Sequence, residues 1–136
     1  MELSRNRKIL VVAFGVMAVV GFLLTPAGLE TRPPSTLRSY ALIPIFLATV
    51  ILGIASFVLI FMRPRTAAIL GSIAAISYIF LVPGDQAGLF FLGVPVPPPI
   101  SLSELIVLIP SVAVLLCAPL VYSESTVRSP TIVANA

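Results

Sequence analysis

Histidine is absent from this chain and Cys117 is its one thiol, which closes most routes to catalysis before any fold is considered. Zinc, iron–sulfur, blue-copper and bis-histidine haem sites draw on His or on several Cys ligands. Ser-His-Asp and Cys-His nucleophiles need an imidazole, and dithiol exchange needs two cysteines. The expectation is therefore a protein that is not an enzyme and carries no metal and no cofactor. What remains is eight basic and five acidic side chains. Glu104 is the one acid that falls inside an apolar run, three residues after Ser101. At that spacing a hydroxyl bonds the amide of the third helical residue while the carboxylate reaches back to the cap amide. Ser101 and Glu104 are read as a helix cap rather than as a transport carboxylate.

The elements that would position such residues are membrane spans. Of 136 residues 59% are hydrophobic and 10% charged, where soluble domains carry about 25% charged residues. Four apolar runs stand out, at residues 9–24, 40–62, 67–82 and 102–122. At 1.5 Å per residue the first reaches about 24 Å and the second about 34 Å, against a hydrocarbon core of about 30 Å. Arg7 and Lys8 can snorkel and complete the first. A basic start followed by Thr25-Pro26-Ala27 also fits a signal peptide, but the apolar run exceeds the usual core of one. The fold class expected is an all-α integral membrane protein, one domain over residues 1–136, with four transmembrane helices in an up-down bundle. Long proline-rich extracytoplasmic loops connect them at residues 25–39 and 83–101. Residues 123–136 read as a polar cytoplasmic tail.

Four spans place the termini and the Arg63-Pro64-Arg65 turn on one side. That side holds Arg5, Arg7, Lys8, Arg63, Arg65 and Arg128, against Arg32 and Arg38 on the other. The asymmetry predicts a multi-pass protein of the cell membrane with N and C termini cytoplasmic. The basic residues form no patch interleaved with aromatics, so no nucleic-acid partner is expected. The short Arg63-to-Thr66 connection makes the second and third helices antiparallel neighbours, with Thr66 capping the third.

In lipid, helices associate through close approach of small residues. Ala67, Gly71 and Ala75 recur at every fourth position of the third helix and mark its contact face. Thr49 and Gly53 do the same on the second helix, and Gly15 and Gly21 on the first. Pro110 should bend the fourth helix near Ile106, with Ser111 helping to satisfy the freed backbone.

The outer segment Leu89-Phe90-Phe91-Leu92 is too short to span and too apolar to leave in water. Stiffened by neighbouring prolines, it is expected to dock a partner, with Phe90 and Phe91 as anchors. The composition is that of small, charge-poor, multi-span subunits that surround the core of respiratory, photosynthetic or monooxygenase-type assemblies. The reading is a non-catalytic accessory subunit in contact with the lipid bilayer and with other integral-membrane subunits. The alternative is a homo-oligomeric channel or transporter for a small neutral or apolar solute.

Overall fold

The computed structural model describes residues 2–127. They form α1 (Arg5–Thr31), α2 (Leu37–Met62), α3 (Pro64–Gln86) and α4 (Pro98–Val127). All four are long and apolar enough to cross a membrane, and the chain is a multi-pass membrane protein by that criterion. The last nine residues of the expected tail lie outside the described residues. The first five do not form a tail at all, because α4 continues through them.

Every helix extends beyond its apolar run, and α1 and α3 do so through prolines that a linear reading places in loops. Pro26, Pro44, Pro83, Pro110 and Pro119 all lie inside helices. Each removes one amide donor, which membrane helices tolerate when the freed carbonyls are re-satisfied locally. Near Pro26 the hydroxyls of Thr25 and Thr31 donate to Gly21 O at 2.9 Å and Ala27 O at 2.8 Å, not to Phe22 O, the carbonyl the proline frees, and α1 runs on to Thr31 all the same. The two loops expected to be long shrink accordingly. The first connection is residues 32–36 and the second is residues 87–97.

Helix starts shift for a related reason. Pro64 occupies the first turn of α3, where its missing N–H would be unpaired anyway, so Thr66 lies within the helix and does not cap it. Pro98 and Pro99 likewise open α4, with the amides of Ile100 and Ser101 both donating to Pro97 O at 3.0 Å. Ser101 and Glu104 therefore form no capping box. The box that exists is at α2, where Thr36 Oγ1 accepts from Ser39 N and Ser39 Oγ accepts from Thr36 N at 2.9 Å. Ser111 Oγ donates to Val107 O at 2.7 Å, not to Ile106 O, the carbonyl freed by Pro110.

The bundle is a ring in which α1 and α3 each pack on α2 and α4. Between the helices lies one core of fully buried side chains, among them Leu10, Phe14, Met17, Ile60, Tyr78, Val107 and Val114, drawn from all four helices. α3 is the most enclosed, with Ala67, Ala74 and Ala75 at zero exposure. Gly71 lies under the Phe14 ring so tightly that an added Cβ would meet the ring closer than real Cβ contacts allow, and Gly21 receives the Tyr78 hydroxyl in the same way. Gly15 faces Phe57 at 3.3 Å from where a Cβ would stand, and Gly53 has open space there. Thr49 is buried and donates to Ile45 O at 2.9 Å.

One end of the ring is fastened by polar contacts around the chain start. Arg7 Nε and Nη2 donate to Ile60 O at 2.9 and 2.5 Å, and Nη2 also to Phe61 O at 3.0 Å. A cation thus covers the unpaired carbonyls at the C-terminal end of α2, where the helix dipole favours it. Ser4 Oγ and Asn6 Nδ2 donate to Glu124 at 2.8 and 2.6 Å, joining α1 to α4.

Candidate functional site

Among the described residues, the buried charged side chains lie at the other end of the bundle. Arg32 directly follows α1, Asp85 sits in the last turn of α3 and Glu104 in the second turn of α4. All three are more than nine-tenths buried. Arg32 Nη1 and Nη2 bond Asp85 Oδ1 and Oδ2 at 2.9 and 2.6 Å, a bidentate fork. Glu104 Oε1 stands 4.0 Å from Nη2. Both ion pairs found among the described residues therefore use Arg32. Glu104 Oε2 accepts from Gln86 Nε2, and Gln86 Oε1 accepts from Ser101 Oγ at 3.1 Å. The chain Ser101–Gln86–Glu104–Arg32–Asp85 ties α1, α3 and α4 together through side chains alone.

Local structure explains how these residues meet. Because α1 and α3 continue past Pro26 and Pro83, Arg32 and Asp85 stand at the helix ends that meet, and the early start of α4 puts Glu104 in its second turn rather than its first. The Phe91 ring covers the guanidinium, with Arg32 Cζ 4.6 Å from its centroid. Phe90 packs on Gly84, where an added Cβ would meet its ring at 2.8 Å. The segment between is held by Gly88 N donating to Asp85 O at 2.9 Å and Leu89 N to Gly84 O at 3.0 Å. Gly88 and Gly93 take φ of 73° and 77°, a backbone region that side-chain-bearing residues rarely enter.

Phe90 and Phe91 are thus occupied by their own bundle, which corrects their expected role as outward anchors. Leu89 and Leu92 point away, 53% and 59% exposed. The sequence spacing identified Glu104 but gave it the wrong neighbours, and it left Arg32, Asp85 and Gln86 unassigned within loops. A signal for them was present. Arg32, Asp85 and Glu104 all fall toward the same end of the expected topology, although Glu30 and Arg38 at that end form no ion pair among the described residues.

Beside the cluster is a cavity of about 60 Å³. Arg32, Asp85 and Glu104 supply its polar end and Leu24, Leu29, Leu42, Ile43, Phe46 and Ile100 most of its apolar wall. Arg32 Nε is buried without an acceptor. The arrangement has a strong hydrogen-bonding end and an apolar body but no nucleophile paired with a base. It can hold a molecule or fasten helices. Comparison of the chain with protein-family models, with curated proteins and with solved structures finds no match.

Proposed function

We propose that this protein is a non-catalytic accessory subunit of a larger integral-membrane complex, in the cell membrane with both termini cytoplasmic, and that it docks its partner through residues 87–97. One observation carries the reading: this connection is fastened to the bundle by Phe90, Phe91 and three backbone hydrogen bonds while it turns Leu89, Leu92 and Val94 outward. A segment already ordered loses little entropy on docking, and each large apolar side chain left in water costs about 1.5–3 kcal/mol. The inner Phe pair sets the shape and the outer Leu pair meets the partner.

The filled core argues in the same direction. Fully buried Leu10, Phe14, Met17, Tyr78 and Val107 fill the space between the helices of one copy, which favours contact between chains over a channel within one. The test is affinity purification in mild detergent of the wild type and of Leu89→Ser with Leu92→Ser. Heteromeric partners recovered with the wild type and lost from the double variant, with helicity unchanged, support the reading. Recovery of a homo-oligomer alone would replace it with the channel or transporter.

A further inference from the structure

We infer that the membrane-facing groove between α1 and α4 is a seat for an acidic glycerophospholipid, with one acyl chain in the groove and the phosphate at Lys8 and Arg5. The floor is made of compact residues: Ala13 is 4% exposed and Pro110 is buried. Larger aliphatics rise on either side, Ile9 and Val12 from α1 and Ile106 and Ile109 from α4, and all four are exposed. The groove encloses about 540 Å³, within the range of about 300–1,000 Å³ found for ligand clefts. Apart from Lys8, every residue that lines it is apolar. Its length selects the occupant. At 1.5 Å per residue α1 rises about 12 Å from Lys8 to Val16, and α4 rises about 11 Å from Ile106 to Ala113. That approaches one leaflet, about 15 Å of a 30 Å hydrocarbon core. A helix of a second chain would need a groove that crosses both leaflets, whereas an acyl chain descending from one surface ends where this groove ends.

Charge selects the headgroup. Lys8 lines the groove where the apolar run of α1 begins, and it is exposed. Arg5 is exposed one turn earlier on the same helix face, four residues before Ile9 and seven before Val12. Both ion pairs among the described residues use Arg32, so neither cation has a carboxylate partner there. The remaining charges at this end are directed elsewhere. Arg7 donates to the last carbonyls of α2. Glu2 and Glu124 line a separate recess with Arg7 and Pro64, and both carboxyl oxygens of Glu124 already accept from Ser4 and Asn6. Two exposed cations at the mouth of an apolar groove stand at the depth where lipid phosphates lie. A phosphodiester matches them. A choline headgroup would bring its own ammonium beside them with no carboxylate to receive it, so the seat favours a headgroup of net negative charge.

The experiment uses full-length protein in phosphatidylcholine nanodiscs with a trace of phosphatidylglycerol that carries a diazirine on one acyl chain. After photolysis, labelled peptides are mapped by mass spectrometry. Label should concentrate at residues 9–16 and 106–113 against the excess of phosphatidylcholine, and unlabelled phosphatidylglycerol should suppress it. Arg5→Gln with Lys8→Gln should lower it about fivefold for each cation, or about 25-fold together. Arg63→Gln with Arg65→Gln removes the same charge from the α2–α3 turn at this end and should leave it nearly unchanged. Ala113→Leu fills the groove without touching the cations and should also lower it. Label spread evenly over the four helices, label that unlabelled phosphatidylglycerol fails to suppress, or an equal loss in the two charge variants would overturn the assignment. An unlabelled groove in discs that hold two copies of the chain would overturn it in favour of a second copy. Should Ala113→Leu unfold, the competition and the two charge variants, made at surface positions, still give the answer.

Discussion

Gly71→Ala adds a single methyl at the tightest point of the core, and the structure states what it meets. The new Cβ would run into the Phe14 ring, which is fully buried and has no free direction to swing. Overpacking of this kind costs about 1–3 kcal/mol. Replacing glycine in a helix also returns up to about 1 kcal/mol of backbone preference, so the raw change understates the clash. Gly53→Ala supplies the correction, because a Cβ there meets nothing within 4 Å. The difference between the two variants isolates packing and should be about 1–3 kcal/mol against Gly71→Ala. Phe14→Leu on the Gly71→Ala background should recover part of it, with a coupling of about 0.5–3 kcal/mol for residues in contact. The assay is unfolding in mixed micelles of mild detergent and SDS, pulse-labelled at Cys117, the sole thiol, which is half-buried on α4. If Gly71→Ala is as benign as Gly53→Ala, or if its effect simply adds to that of Phe14→Leu, the α1–α3 approach argued here is wrong.

Tyr78 stacks edge-on with Phe46 at 6.2 Å, but its hydroxyl is buried without a partner; Tyr78→Phe should therefore be neutral or stabilise by about 1 kcal/mol in the same assay, and a clear loss would reveal a bond the hydroxyl makes. Arg32→Leu strands Asp85 and Glu104 and should cost about 3–5 kcal/mol, whereas Arg32→Leu with Asp85→Leu should recover most of it; a single variant as stable as wild type would show that the pair fastens nothing. With Cys117→Ala as background, a cysteine at Ser35 should react with an impermeant maleimide on intact cells and one at Glu2 only after lysis. The reverse pattern would invert the orientation drawn from the basic residues.

The helices were legible because apolar length is a strong signal; of the glycines read as contact points, Gly15, Gly21 and Gly71 face a side chain of a neighbouring helix, and Gly53 does not. The helix ends were not legible. Pro26 and Pro83 read as loop residues in a linear sequence, since proline breaks helices in water; in the folded bundle α1 and α3 continue through them. That one misreading lengthened both loops on paper and hid Arg32 and Asp85 in them. Glu104 was conspicuous as the lone acid of its run, and the Ser101 spacing matched a cap that Pro98 and Pro99 pre-empt by starting α4 earlier. The inward turn of Phe90 and Phe91 depends on Gly84 and Arg32, partners that only the fold brings within reach.

The central claim is that this chain works as one subunit of a heteromeric membrane assembly, and the most direct test is its native mass. Membranes extracted in mild detergent, purified through a terminal tag and measured intact should give a mass well above the 14.4 kDa chain, resolving on activation into this protein and at least one different polypeptide. The same measurement on Leu89→Ser with Leu92→Ser should return the lone chain. A wild-type mass that is a single copy or a whole-number multiple of this chain would contradict the account.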